Sequence, residues 1–457
     1  MVEDWIDVLQ RGTYEVRVPT LTVSSGEIGT LNGSGGISWN ANSEIRIQAT
    51  TYSENQIDPL VFNRTVVPGT LISHSVYLHI SGKTADNWEI ETATIPRSGH
   101  HTHMGISYVN WDISTASLTL QRNTTGSPWQ RFRILMGPAM PGWTKHTKTQ
   151  VENDVFGTES VSLDWLSTEC NIGRVAARRR SDEWFEVRII PPNQKQVMDE
   201  FASCTAVATA FGFILGRRCI IRGYEHINGN HEIRRLDARQ NEFSKNALFG
   251  PIGGTGLDYL KNVEKLLGLA INFFLTDLGK SVAQYLLLCW DTVDNIYTTR
   301  LAMSSLCLEG LIRMAAKQLG PDQPQILPSD LSAFSQWLEM KPDGFSEQFL
   351  IRLNGLKSIF GTLSVKEIFR HWCDHKILGV TQDDIDAWSD IRNPSAHGRV
   401  ITSNNQVELQ THVNHHARIQ NLLNKILLQF MGYQGQYINY AQTGFPSAVF
   451  PCPPPDR

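Results

Sequence analysis

One stretch decides how this sequence is interpreted: residues 388–398, which read WSDIRNPSAHG. Upstream of it, Thr381 and Asp384 have the spacing of a capping box, which predicts a helix that begins there. Pro394 has no amide hydrogen and disfavours helical dihedral angles at the residue before it, so the helix is predicted to kink or stop at Asn393. The stretch is therefore predicted to be the ragged end of a helix.

An arginine and a histidine in this stretch suit the cleavage of a phosphodiester without a metal. Arginine stays charged and binds phosphate through two parallel hydrogen bonds, and histidine exchanges a proton near neutral pH. On a straight helix, positions five apart point roughly 140° away from each other. Arg392 and His397 can therefore share one target only if the chain turns at Pro394 or a two-fold axis places a second copy opposite. The alternative is a surface helix end with an arginine near its carbonyl-rich terminus and an exposed histidine.

The motif resembles that of a known family. Arg392-Asn393, three further residues and His397-Gly398 resemble the Arg-polar-x-x-x-His signature of HEPN-domain ribonucleases. An apolar helix that carries Glu309 precedes the motif, and a helix over 419–430 follows it. With the ending GYQGQY at 432–437 and a separate N-terminal domain, the chain resembles the ApeA-type anti-phage proteins. The residues that carry the resemblance lie within roughly the last 180 residues. The rest of the chain is similar only in that a separate domain precedes the helical part.

This resemblance implies a homodimeric endoribonuclease that needs no metal or cofactor and acts in antiviral defence by abortive infection. His397 would remove the proton of a ribose 2′-hydroxyl or protonate the 5′-oxygen leaving group, and Arg392 would stabilise the charge of the transition state. Asn393 would hold the phosphate or the histidine, and Glu309 would orient Arg392 from a neighbouring helix. The expected substrate is a cellular RNA such as tRNA, cut in a composite groove to leave a 2′,3′-cyclic phosphate. The N-terminal domain would restrain the nuclease or sense a phage component as its activator.

Other interpretations of the same residues stay open. HEPN-like bundles also serve as non-catalytic modules that dimerise and bind nucleotides or RNA, and a toxin component can be held inactive by a separate partner protein. Glu309 is alternatively a carboxylate at the rim of the bundle, since an unpaired charge is costly to bury. Asp390 is a second candidate partner for Arg392, although positions two apart on a helix do not face each other.

Size and composition describe an ordinary soluble protein. The 457 residues provide room for two or three domains, and 41% hydrophobic and 19% charged residues are typical of a globular chain. The net charge of −4 gives no overall basic field for nucleic acid. Seven scattered cysteines without a C-x-x-C pair predict buried thiols in a reducing compartment. The N-terminus has no signal-peptide pattern, and the most apolar run, 266–275, is about half of a membrane span, so a cytoplasmic location without a membrane partner is predicted.

The periodicity of the sequence predicts an α+β multidomain protein. Residues 1–190 alternate apolar and polar residues between Gly/Ser/Asn turns, which favours a β-rich domain of the sandwich or barrel kind. Residues 191–256 are predicted to be a mixed, basic connecting segment, in which Phe211–Leu215 and Cys219–Ile221 are strands or a helix and a strand. Residues 257–440 have helical periodicity, which predicts an all-α bundle, followed by a frayed proline-rich tail at 441–457. The resemblance implies that this bundle is a HEPN fold.

Positive charge concentrates ahead of the helical region in three groups of arginines. Such groups can bind RNA phosphates without regard to sequence. The residues predicted to bind RNA are Arg178, Arg179, Arg180, Arg217, Arg218, Arg222, Arg234 and Arg235. The alternative is solvated surface charge, since Asp182, Glu183 and Glu186 partly cancel the first group.

Two further patterns carry weaker signals. His100-His101-Thr102-His103 would place His101 and His103 on one side of a strand, where they could bind zinc. No cysteine or acidic residue lies at ligand spacing, so a polar loop without metal is predicted. Gly279-Lys280-Ser281 resembles the end of a P-loop, but Phe274 occupies the position where that motif needs glycine.

Overall fold

A computed structural model places the chain in two units. It describes residues 4–40, 42, 44–53, 77–94, 107–124, 130–139, 149–153, 157–161, 165–192, 199–238, 243–244, 246–253, 257–321, 328–340, 344–360, 363–396 and 406–451. Met1–Ala208 and Cys219–Phe243 form the first unit, called here the β-rich unit. Thr209–Arg218 and Ser244–Arg457 form the second, called the helical unit. The predicted α+β class, with a large β-sheet region followed by a helical region, is confirmed.

The β-rich unit is built mainly of strands. Its elements are α1 (Trp5–Arg11), β1 (Thr13–Ser25), β2 (Gly29–Asn40), β3 (Ile45–Ser53), β4 (Leu78–Lys83), β5 (Glu89–Thr94), β6 (Ser107–Thr115), β7 (Ser117–Asn123), β8 (Arg131–Gly137), β9 (Thr149–Asn153), β10 (Gly157–Val161), β11 (Trp165–Cys170), β12 (Gly173–Arg179), β13 (Phe185–Ile190), α2 (Glu200–Leu215, whose last residues belong to the helical unit), β14 (Ile220–Asn228) and β15 (His231–Asp237). Among the described residues of this unit, all strands except β9 and β10 join one antiparallel sheet in the order β11-β12-β13-β8-β14-β15-β7-β5-β4-β1-β2-β3-β6.

The strand alternation seen in the sequence determines which face of the sheet is buried. In β3, Ile45, Ile47 and Ala49 are buried, and the residues between them are exposed. α1 packs its apolar residues into the same core, where Ile6 and Leu9 are fully buried. Asp4 is the N-cap of this helix, and its side chain accepts a hydrogen bond from the amide of Ile6.

The predicted connecting segment is divided between the two units, so its boundaries at 191 and 256 are corrected. β14 and β15, residues 220–237, form a hairpin with Gly229 in the left-handed conformation at its turn. β14 pairs with β8, and β15 pairs with β7, so the hairpin lies inside the sheet. Of the two alternatives for this segment, helix followed by strand is the observed one. The sequence pattern did not reveal that this hairpin belongs to the sheet, because its pairings join residues about 100 positions apart.

The helical unit contains most of the helices. Its elements are α3 (Leu257–Phe274), α4 (Asp277–Asp291), α5 (Tyr297–Leu319), α6 (Pro328–Glu339), α7 (Glu347–Phe360), α8 (Val365–Asp374), α9 (Gln382–Ala396), α10 (Gln406–Phe430), β16 (Gly435–Ile438) and β17 (Ser447–Phe450). α4 and α5 are separate helices, with residues 292–296 between them. The Thr292 hydroxyl donates to the carbonyls of Leu288 and Cys289, which ends α4 by competing for its last carbonyl groups.

The predicted frayed tail is corrected in part. β17 pairs with β16, and Phe450 is almost fully buried against Tyr437, with ring centroids 6.0 Å apart. Burial of these two aromatic rings holds the chain against the unit as far as Pro451. Residues 452–457 lie outside the described part of the chain.

Three helices of the helical unit, α5, α9 and α10, pack on one another and position the motif. Their contacts bury Leu308 and Ile312 of α5, Ile391 of α9 and Ile426 of α10. In the described residues, no single helix is long and apolar enough to cross a membrane, although α3 and α4, bent by 107°, meet the length and composition criteria as a pair.

Candidate active site

The start of α9 agrees with its sequence signal. The amide of Thr381 donates to Asp384 Oδ2 at 2.9 Å, and the Thr381 hydroxyl donates to the same oxygen at 2.8 Å. The helix begins at Gln382, as the Thr–Asp spacing predicts. The amide of Asp384 is bound by the carbonyl of Thr381, so only the carboxylate half of a capping box is present.

The end of α9 excludes one of the two predicted outcomes, a stop at Asn393. The helix does not stop at Asn393 but continues through Pro394 to Ala396. Proline removes a single backbone hydrogen bond, and within the last turn little helix remains to be disrupted. Arg392 therefore lies in regular helix. His397 directly follows the helix and lies outside the described residues, so its convergence with Arg392 stays a prediction.

The apolar face of α9 anchors the helix and leaves Arg392 at its edge. Ile385, Trp388 and Ile391 are buried, and the Trp388 ring lies 5.3 Å from that of Phe369 on α8. The side chain of Arg392 is 39% exposed. A guanidinium in this position is held by a rigid helix and is still open to solvent.

Arg392 and Glu309 meet between α9 and α5. Arg392 Nε lies 3.5 Å from Glu309 Oε2, while Arg313 Nη2 lies 3.2 Å from Glu309 Oε1. The Glu309 side chain is 19% exposed, so the carboxylate is largely shielded and its two arginines face outward. Two guanidinium groups share one carboxylate, so the three side chains together carry one net positive charge. We call this group the positive edge between α5 and α9. A distance of 3.5 Å is long for a hydrogen bond, so the contact with Glu309 orients Arg392 but uses little of its hydrogen-bonding capacity. The catalytic role of Glu309 stays a prediction.

The other polar residues near the end of α9 have different partners. The Asp390 carboxylate lies 3.8 Å from His415 Nδ1 of α10, a distance too long for a hydrogen bond. Burial lowers the pKa of His415, and Asp390 partly offsets this. Within the described residues, Asp390 makes no contact with Arg392. Asn393 is exposed.

Sequence reasoning did not single out the histidines of α10. Three histidines within five positions, 412–416, on a predicted helix are the signal that it passed over. His416 points inward and contacts the Ser304 hydroxyl at 3.3 Å, and Gln420 donates to the same hydroxyl at 3.1 Å. Burial, with a smaller effect of Arg300, lowers the pKa of His416 to about 4. His416 is thus a neutral core residue at physiological pH, whereas His415 lies beside Asp390 of α9.

The first group of predicted RNA-binding arginines surrounds a buried carboxylate. Glu186 is fully buried and lies 3.1 Å from Arg178 Nε and 3.0 Å from Arg180 Nε. Arg133 and Arg188 each donate to Glu186 at 2.8 Å, and Arg179 pairs with Asp182. Burial alone would raise the pKa of Glu186, but Arg133 and the other arginines lower it to about 2. These guanidinium groups are therefore engaged in the structure of the β-rich unit.

The remaining predicted RNA-binding arginines are divided between the units. Arg234 pairs with Glu225 at 3.3 Å and Glu232 at 2.9 Å, and Arg235 lies 4.0 Å from Asp237. Arg222 is buried beside two tryptophans. Arg217 and Arg218 belong to the helical unit, where Arg218 pairs with Asp291 at 2.8 Å. A role in RNA binding stays a prediction for all eight, with much of their charge already paired.

The side chains that could hold a metal are those of histidine, cysteine, aspartate and glutamate. No cluster of three or more histidine, cysteine, aspartate or glutamate side chains suited to a metal occurs there. His100, His101 and His103 lie outside the described residues, so neither a zinc site nor a polar loop is tested at these positions. The described cysteines are free thiols.

Comparisons of the chain with protein-family models, with curated proteins and with solved structures found no match. The resemblance to HEPN ribonucleases therefore rests on the residues of the motif and on the helices around it.

Proposed function

We propose that this chain is a metal-independent endoribonuclease of the HEPN type that cleaves a cellular RNA, such as tRNA, in anti-phage defence. The observation that carries the proposal is the pairing of Arg392 with Glu309 between α9 and α5. It supports a role for Arg392 beyond a solvated charge, because a largely buried carboxylate holds the guanidinium at the helix edge. The exposed part of the guanidinium remains available to a phosphate.

Each motif residue has a role in the proposed reaction. His397 accepts the proton of the ribose 2′-hydroxyl, whose oxygen attacks the phosphorus, or protonates the 5′-oxygen as it leaves. The bond from phosphorus to the 5′-oxygen breaks, which yields a 2′,3′-cyclic phosphate and a 5′-hydroxyl. Arg392 stabilises the charge that develops on the phosphoryl oxygens. Asn393, exposed on the same turn, holds the phosphate or the histidine, and Glu309 acts as a positioning residue.

A homodimer through the helical unit is part of the proposal. A two-fold axis would bring two copies of the motif together and supply two arginines and two histidines to one groove. The positive edge between α5 and α9 supports phosphate binding at this place. The β-rich unit would then restrain the nuclease or respond to a phage component.

The test is cleavage of total tRNA by the purified protein in the presence of EDTA. The wild type is compared with His397→Ala and Arg392→Ala, and Arg352→Ala on the exposed face of α7 is the matched control. We expect both motif variants to lose about 10²- to 10⁴-fold in cleavage rate and the control to retain it. Equal cleavage by all four proteins would remove the motif from the mechanism.

Two further observations, RNA binding in vitro and growth on expression of the chain, separate the alternatives. RNA binding without cleavage by the wild type, retained in His397→Ala, would indicate a non-catalytic module. Growth arrest on expression of the chain alone, relieved by His397→Ala, would indicate a toxin whose activity a separate partner normally masks.

A further inference from the structure

Arg222 lies at an irregular position of the sheet in the β-rich unit. The pairing of β14 with β8 shifts register between Ile221 and Gly223, which is the signature of a β-bulge at Arg222. Bulges change the direction of a side chain relative to its strand and are frequent beside functional sites. The bulge turns the arginine into the interior, where only 6% of the residue is exposed.

Aromatic rings surround this guanidinium. Arg222 Cζ lies 4.5 Å from the ring centroid of Trp184 and 5.4 Å from that of Trp39. The Trp184 ring in turn contacts Phe243, with centroids 4.9 Å apart. Cation–π contacts with the indoles stabilise the charge but supply no hydrogen-bond acceptor.

Two buried donors in this cage have no acceptor within the described residues. Arg222 makes neither a hydrogen bond nor an ion pair there, and its Nε is fully shielded. The indole Nε1 of Trp39 is likewise buried without a partner. Burial lowers the pKa of Arg222, and the charge of Glu183 opposes this shift. Buried donors of this kind are rare in folded proteins, since each loses its hydrogen bond to water.

A second arginine in the same unit, Arg234, contacts both tryptophan rings and carboxylates. Arg234 lies 4.6 Å from the ring centroid of Trp88 and 5.5 Å from that of Trp5. In addition, two carboxylates, Glu225 and Glu232, lie 3.3 and 2.9 Å from its Nη2. The Arg222 stack has aromatic rings like the Arg234 stack, but no described carboxylate lies within ion-pair distance of its guanidinium.

We infer that Arg222 and Trp39 form a binding site for the oxyanion of an acidic ligand, a carboxylate or a phosphate group. The ligand supplies the acceptors that Glu225 and Glu232 supply to Arg234. The site lies in the β-rich unit and does not depend on the ribonuclease proposal. It gives that unit a means of recognising a small acidic molecule or an acidic group of a larger one.

The test uses inorganic phosphate and acetate as separate probes, each against sodium chloride at the same ionic strength. Thermal unfolding and calorimetric titration are measured for the full-length wild type and for Arg222→Met and Trp39→Phe. We expect one or both anions to raise the unfolding temperature of the wild type, and affinity to fall by about tenfold or more in each variant. The stronger anion identifies the ligand as a phosphate or a carboxylate.

A spectroscopic readout separates binding from general salt effects. In a ¹⁵N-tryptophan-labelled protein, the indole signal of Trp39, assigned from its loss in Trp39→Phe, is expected to shift on anion addition. Trp111 is the internal control, because its indole already donates to Thr51 at 2.7 Å. Arg222→Met removes a buried charge that has no ion-pair partner among the described residues, so we expect it to fold and to unfold at the same or a higher temperature than the wild type without anion.

Two results would overturn the inference. One is the absence of any anion effect beyond chloride in the wild type. The other is an equal response of the wild type and both variants, with Trp39 and Trp111 shifting together. If Arg222→Met failed to fold, the Trp39→Phe titration would decide, and unchanged affinity there would count against the site.

Discussion

In the β-rich unit, Glu186 is fully buried, and the guanidinium groups of four arginines lie 2.8 to 3.1 Å from it. In the helical unit, Arg392 lies 3.5 Å from Glu309 and keeps 39% of its side chain exposed. Both arrangements place arginine beside glutamate. In the first the charges compensate one another in the interior, and in the second the guanidinium meets a carboxylate while 39% of the side chain stays exposed. A run of arginines in a sequence is therefore a poor guide to a nucleic-acid surface until the positions of the carboxylates are known.

The largest effect is expected from breaking the buried cluster. Glu186→Gln keeps the shape of the side chain but leaves four arginines without their shared carboxylate, so the free energy of unfolding should fall by about 3–5 kcal/mol. Urea unfolding followed by circular dichroism measures it. Glu169→Gln is the matched control, since Glu169 is 76% exposed and lies 4.0 Å from Arg174. A loss below about 1 kcal/mol in Glu186→Gln would contradict the structural role of the cluster.

A somewhat smaller effect is expected from acid, and it separates the two units. The pKa of His416 is lowered from 6.5 to about 4, so the unfolded state binds more protons and stability is lost as pH falls from about 6.5 through 4. The pKa of Glu186 is lowered from 4.5 to about 2, so its contribution is lost as pH falls from about 4.5 towards 2. Each contribution is about 3 kcal/mol.

Two variants test which unit loses stability in each of these two pH ranges. His416→Gln should flatten the dependence of stability on pH between 6.5 and 4, and Glu186→Gln should flatten it below 4.5, in urea titrations at a series of pH values. Identical pH profiles for the wild type and His416→Gln would show that the buried histidine is not the group that titrates.

The smallest effect is expected at the half-exposed pair. Glu309→Gln should change stability by less than about 1 kcal/mol, because the partners of Glu309 are partly solvated. If Glu309 orients Arg392, the same change should lower tRNA cleavage by about tenfold, and Asp383→Asn, a paired carboxylate at the other end of α9, should not.

A double-mutant cycle sharpens this prediction. Adding Glu309→Gln to Arg392→Ala should cost no further activity, since the positioning residue then has nothing to position. Additive losses of cleavage would instead show that Glu309 acts independently of Arg392.

Sequence reasoning succeeded where the signal was local. The strand alternation of β3, the start of α9 at the Thr381–Asp384 spacing and most helices after residue 257 follow from periods and caps that neighbouring residues specify. It failed at the hairpin β14–β15, whose place in the sheet depends on distant strands. It also missed His415, whose nearness to Asp390 arises only when α10 packs on α9.

What the sequence by itself determined is the division into a β-rich and a helical part and the presence of Arg392 near a helix end. Periodicity and capping determine these because they depend on contacts within a few residues. Only the tertiary structure decided which arginines are neutralised, which carboxylate Arg392 meets and that Arg222 is buried without an acceptor among the described residues. The physical reason is that the state of a charge depends on burial and on groups brought close by packing, and neither is encoded in a local pattern.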